Sequence, residues 1–252
     1  NDAEAIRLYK AALSIDQNYA PAINNLGLIA KRQGDLITAE QLVKRACDLD
    51  QSFAPYLMNL GGIYKDLGNL DQALASTLKS LELNPDNPDA LMNLGAIYQD
   101  RGNLDQALAS TLKSLELKPG GSTALCQLGL IKMALAQTEE AKKCLFDSIA
   151  CNTQECEAYF ALSQTIETAK DAEGLIESTK QIKTSHLAPR AITFIEFALS
   201  NCLHKLKKYD QAAKHLKAAN YNKLIAFPSN ANRLQQAIAF SVSHSESAEI
   251  SA

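Results

Sequence analysis

Leu57–Asn84 reads LMNLGGIYKDLGNLDQALASTLKSLELN, and Leu91–Lys118 reads LMNLGAIYQDRGNLDQALASTLKSLELK. The two stretches lie 34 residues apart and agree at 24 of 28 positions, differing only at 62/96, 65/99, 67/101 and 84/118. A fixed period of this length is the mark of a repeat architecture, and it decides the fold before any single residue does. Inside the unit the apolar spacing is helical. Leu57, Leu60, Ile63 and Tyr64 follow the i, i+3, i+4 rule on a first helix. Gly68-Asn69 interrupts, and Leu70, Ala73, Leu74, Thr77, Leu78 and Leu81 then line a second helix. Pro85, Asn87 and Pro88 end that helix and start the next, with Pro88 in a first turn and Asn87 as its N-cap. Thr138, with Glu139 and Glu140 behind it, is expected to cap a later helix in the same way.

The period extends outward in both directions. Gly27, Gly61, Gly95 and Gly129 fall 34 apart, as do Ala5, Ala39, Ala73, Ala107 and Ala141, and Leu26, Leu60, Leu94 and Leu128. Small residues have a physical reason here: where two helices cross closely, any side chain larger than a methyl would force the axes apart. Gly61 and Gly95 are therefore expected to face Ala73 and Ala107.

A 34-residue helix–turn–helix unit of the form LMNLGAIYQDRGNLDQALASTLKSLELKP resembles the tetratricopeptide-repeat (TPR) family over most of the chain. The resemblance implies an all-α, right-handed superhelical solenoid. Aligned to the period, residues 1–19 hold the second helix of a half repeat. Full repeats follow near 20–53, 54–87, 88–121 and 122–155. A degenerate repeat occupies 156–192, where Gly becomes Ser163 and the expected Ala becomes Leu175. A final repeat spans 193–224, three residues late, with Leu199, Ala212 and Ala219 in place and the basic turn Lys205–Tyr209 instead of a Gly turn. The array thus fills 1–224, leaving 225–252 as a short helix near 230–243 (Leu234, Ile238, Phe240, Val242) and a Ser-rich tail. About thirteen repeat helices are expected, breaking near Gly34, Gly68, Gly102 and Ala136. The start in mid-repeat, without Met, reads as a fragment of a larger protein.

Bulk composition points the same way. Apolar residues make up 46% and aromatic residues 6%, with no Trp, which suits closely spaced helices. A net charge of −3 argues against a dedicated nucleic-acid binder. Ala191–Leu203, the longest mostly apolar stretch, is broken by Glu196 and too short to span a bilayer. No signal peptide is visible, so a cytoplasmic protein without a membrane partner is expected. The six cysteines form no Cys-x-x-Cys pair or zinc spacing and are read as small buried residues; no metal and no cofactor are expected. No nucleotide-binding, metalloprotease or serine-hydrolase motif occurs, and the chain is read as non-catalytic.

The candidate site lies on the first helices, which in stacked TPR units line a concave groove. Asn25, Asn59 and Asn93, followed by Gln127, stand one residue before each repeated Leu. Asn has modest helix propensity, so three in register ask for a reason. Duplication of the repeat is one; the other is that a primary amide both donates and accepts, and so grips a peptide backbone. The pattern resembles the asparagine ladder of the O-GlcNAc transferase TPR superhelix, which implies an extended peptide held by its backbone. The groove set is Asn24, Asn25, Leu28, Arg32, Met58, Asn59, Lys65, Asp66, Met92, Asn93, Gln99, Asp100, Gln127 and Leu130, with Lys31, Gly62, Ala96, Cys126 and Met133 among the neighbouring positions. The resemblance does not extend to the TPR carboxylate clamp, whose lysine, arginine and asparagine positions would here be supplied by Asn24, Leu28, Asp89 and Asn93.

Partners expected on this reading are a protein or extended peptide, without nucleic acid, with self-association through the exposed first helix as one alternative. A second alternative is a substrate-recruiting arm of a larger enzyme. Tyr209–Leu224, YDQAAKHLKAANYNKL, resembles the join in bacterial TPR–sulfotransferase fusions, though the sulfate-donor loop of those enzymes is absent. That resemblance implies a bacterial source.

Overall fold

A computed structural model describes residues 2–184 and 187–226. The short helix expected near 230–243 lies outside the described residues. Among the described residues there are thirteen α-helices and no strand. They are α1 (Asp2–Ile15), α2 (Ala20–Arg32), α3 (Leu36–Leu49), α4 (Ala54–Asp66), α5 (Leu70–Leu83), α6 (Pro88–Asp100), α7 (Leu104–Leu117), α8 (Ser122–Ala134), α9 (Thr138–Cys151), α10 (Cys156–Gln164), α11 (Ala169–Thr179), α12 (Pro189–Lys205) and α13 (Tyr209–Ala226). The starts at 20, 54, 88, 122 and 156, and at 36, 70, 104 and 138, reproduce the 34-residue period.

The chain divides into two compact units at Thr165/Ile166, inside the degenerate repeat. In the first unit, α2–α3, α4–α5, α6–α7 and α8–α9 pack as pairs. Their antiparallel sense follows from a recurring hydrogen bond. Ser80, Ser114 and Ser148, near the ends of α5, α7 and α9, donate at 2.8, 2.7 and 2.8 Å to the carbonyls of Ala54, Pro88 and Ser122, which open α4, α6 and α8. The second unit holds α11, α12 and α13, with α12 and α13 closely paired and the Ser200 hydroxyl donating to the Ala212 carbonyl at 3.0 Å. Helix α12 begins at Pro189, earlier than the repeat boundary expected at 193.

Close approach is achieved at the repeated glycines. A methyl built on Gly129 would sit 2.7 Å from Leu145 Cγ and 3.3 Å from the Ala141 carbonyl. On Gly61 it would strike the Thr77 hydroxyl, with the Ala73 carbonyl 3.2 Å away. The expected facing of Gly61 on Ala73 is thus shared with Thr77, one turn further along α5. Ala73, Ala107 and Ala141 are fully buried at these crossings.

The turns inside each pair end the first helix in a left-handed residue. Gly68 has φ +79°, and the Asn69 N–H reaches back to the Tyr64 carbonyl at 2.8 Å. Ala136 and Lys207 take the same role at φ +58°. The hydrogen bonds that close the turn persist there, Gln137 to Lys132 and Lys208 to Leu203, both 2.9 Å, so the geometry outlasts the loss of Gly. Asn87 caps α6 by accepting from the N–H groups of Asp89 and Ala90 at 3.0 and 3.1 Å. The Thr138 expectation is corrected: α9 starts at Thr138 itself, its N-cap is Gln137, and no side chain caps it.

Candidate functional site

The first helices contact one another along the array, α2 with α4, α4 with α6, α6 with α8 and α8 with α10, and each second helix also packs on the following first helix. The layer in which successive helices touch is the narrower one, so α2, α4, α6 and α8 line the inner face of the first unit. Asn25, Leu28, Met58, Asn59, Lys65, Asp66, Met92, Asn93, Gln99 and Leu130 are half-buried on these helices, and Asp100 is exposed.

The amides do not form a row of free groups. Asn24 is buried; its Nδ2 donates to Asn25 Oδ1 at 3.3 Å, and its Oδ1 accepts from Asn59 Nδ2 at 3.0 Å. Asn24 therefore joins α2 to α4. Gln127 is buried as well. With its amide oriented to satisfy both ends, its Nε2 donates to the Met92 carbonyl at 3.1 Å and its Oε1 accepts from the Ala96 N–H. That position in the fourth ladder step ties α8 to α6. The Arg32 guanidinium turns to Asp2 of α1, Nη2 to Oδ1 2.8 Å. The Asn93 amide has no hydrogen-bond partner among the described residues, and Asn25 keeps its Nδ2 available.

Charge on the inner face is concentrated between α2 and α4. Lys31 Nζ lies 3.1 Å from Asp66 Oδ2, and Lys65 Nζ lies 3.6 Å from Asp66 Oδ1. The repeat-equivalent of the Lys31–Asp66 pair would be Lys65 with Asp100, but Lys65 turns to its neighbour Asp66 instead. Toward α8 the face becomes apolar, with Ala96, Leu130 and Met133 half-buried and Cys126 buried. The serine bonds of the outer layer were not anticipated as a staple, although the signal was present: Ser80, Ser114 and Ser148 stand 34 apart.

No group of three or more His, Cys, Asp or Glu able to hold a metal occurs among the described residues, and no helix there is long and apolar enough to cross a membrane. The cysteines do not all follow the expectation of burial. Cys47, Cys126, Cys156 and Cys202 are buried, Cys144 is half-buried and Cys151 is exposed. Cys151 ends α9 at the repeat position of Leu49, Leu83 and Leu117, all exposed, so register explains the difference. Burial pushes the Cys47, Cys156 and Cys202 thiols up to about 11, and Cys126 higher still. Because the thiolate is the reactive form, a thiol-exchange reagent at pH 8 should modify Cys151 rapidly, Cys144 slowly and the other four only on unfolding. Mass mapping of the labelled sites checks this; early labelling of Cys126 or Cys202 would contradict the packing.

Stacked antiparallel helix pairs with a 34-residue period and an amide-bearing inner face define a helical-repeat scaffold. The chain belongs to the tetratricopeptide-repeat family. Profiles described as TPR repeat match residues 61–102, and others described as tetratricopeptide repeat match 8–41, 88–120 and 122–145. The fold is similar to a chain of the APC/C hetero-tetramer Cut9–Hcn1, at 19% identity and TM-score 0.62, covering 86% of this chain and 39% of that one. It is also similar to PilF of Pseudomonas aeruginosa, at 16% identity and TM-score 0.59, covering 86% of this chain and 98% of that one. No curated protein sequence matches the chain.

Proposed function

We propose that the first unit is a protein-interaction scaffold whose inner face holds an extended segment of a partner protein. The observation that carries this is the register of Asn25, Asn59 and Asn93 on successive inner helices, two of which retain amide groups that the fold does not consume. An extended backbone carries unpaired N–H and C=O groups, and a primary amide can meet both. Asn25 and Asn93 are the two that serve it, because Asn59 is committed to Asn24. Met58 and Met92 supply adaptable apolar contact beside them.

The test is selection of unstructured 12-residue peptides from a random library on the whole chain, followed by titration of the selected peptides. Asn25→Ala combined with Met58→Ala should weaken binding about thirtyfold, since a lost hydrogen bond and a lost apolar contact are each worth about 1 kcal/mol. Thermal melts of both proteins confirm matched folding. Equal affinity for the variant and the parent would remove the inner face from the binding surface and move the partner to the outer helices.

A further inference from the structure

Between α2, α4 and α6 the inner face carries a niche where Gly62, itself buried, lies beneath the side chains of Lys31 and Asn93. A methyl placed on Gly62 would lie 3.2 Å from Lys31 Nζ and 3.7 Å from Asn93 Nδ2, so an ammonium and an unpartnered amide donor converge above a residue with no side chain. Lys65 stands at the same end of α4. Its ammonium and that of Lys31 share the single carboxylate of Asp66, and all three side chains are withdrawn from solvent, at 24, 32 and 17% exposure. Two half-buried cations on one anion leave a positive charge uncompensated, and partial burial makes that charge more effective than a surface lysine. At the next repeat the geometry changes. Ala96 replaces Gly62, Gln99 replaces Lys65, and Asp100 is exposed, so the cationic character is confined to this niche.

We propose that this niche takes a carboxylate side chain of the bound segment, and that the partner is an acidic extended peptide. A Glu or Asp of the segment would accept from Lys31, Lys65 and Asn93 over Gly62. The residues that follow toward α8 would be apolar, to match Ala96, Leu130 and Met133. Lys31 and Lys65 occupy positions other than those of the carboxylate clamp, whose pattern this chain lacks; Asn93 alone falls on one of them. The inference rests on the inner-face reading above and adds the chemistry of the ligand to it.

The probes are the peptides selected from the random library. Enrichment of one Glu or Asp beside apolar residues is expected. Resynthesis with Gln or Asn at that position should weaken binding about tenfold to a hundredfold, the usual range for a charge-assisted contact. The Lys31→Met/Lys65→Met variant should weaken the acidic peptide and remove its advantage over the amide version. Should that variant fold poorly, Gly62→Asp is a second test. It supplies a carboxylate within the chain, displaces only the flexible Lys31 tip, and should abolish the preference while keeping the melting temperature. Selected peptides without a carboxylate, or equal binding of the Glu and Gln versions, would overturn the carboxylate niche. In that outcome loss of binding on Asn25→Ala/Met58→Ala would leave the inner-face reading standing. Failure to select any peptide would overturn both.

Discussion

Replacement of Gly129 by alanine is expected to destabilise the first unit by about 1–3 kcal/mol, the usual cost of overpacking a filled crossing. The added methyl would stand 2.7 and 2.8 Å from Leu145 Cγ and Cδ2 and 3.3 Å from the Ala141 carbonyl. Leu145 and Ala141 are fully buried, so neither can withdraw without parting α8 from α9. The gain in helix propensity from Gly to Ala, at most about 1 kcal/mol, is too small to offset that clash. Gly174→Ala provides the opposite sign with the same chemistry. Gly174 lies inside α11 with no neighbouring atom within 4 Å of the added methyl, so the substitution should stabilise by about 0.5–1 kcal/mol. Urea unfolding of the two variants beside the parent measures both, and a Gly129→Ala midpoint at or above the parent's would refute the close-crossing account.

The reverse effect is expected from Thr77→Val combined with Thr111→Val, which should stabilise by about 2 kcal/mol or more. The hydroxyls of Thr77 and Thr111 are fully buried and have no hydrogen-bond partner. An unsatisfied buried polar group costs about 1–3 kcal/mol, and valine has the same shape without the hydroxyl. The repeats themselves supply the control. At the equivalent position the chain carries Val43 against Gly27 and Leu145 against Gly129, so an apolar side chain already fits this slot. The two sites belong to different repeats and share no partner, so their effects should add. Denaturant midpoints of the single and double variants test this; no gain from either single change would show that the hydroxyls are paired in solution.

Much of the architecture was legible because it is local and periodic. Helix starts at 20, 54, 88 and 122 follow from the 34-residue period and, at α6, from Pro88 in the first turn. The Gly-to-Ala change at 136 did not disturb the turn, since the 34-residue spacing identified the position and the backbone kept its left-handed residue there. Two expectations failed at the scale of a single residue. Thr138 precedes two glutamates, the pattern of a cap, but the helix begins on it. Residue type alone predicts a buried Cys151, whereas its repeat register places it with the exposed Leu49, Leu83 and Leu117.

The sequence alone determined the helix pairs, their period, the close crossings and which helices carry the candidate amides, because each depends on spacing within one repeat. Only the tertiary structure decided which of those amides are spent. Asn59 reaches Asn24 across α2 and α4, Gln127 reaches the backbone of α6, Arg32 leaves for Asp2, and two lysines converge on Asp66. All of these contacts but Lys65–Asp66 join different repeats, and their formation depends on the offset between neighbouring helices and on the reach of the particular side chain. A 34-residue period predicts the same contact in every repeat. Substitutions such as Lys65 to Gln99 and Gly62 to Ala96 break that equivalence, and so the donors converge at one step of the inner face and not at the next.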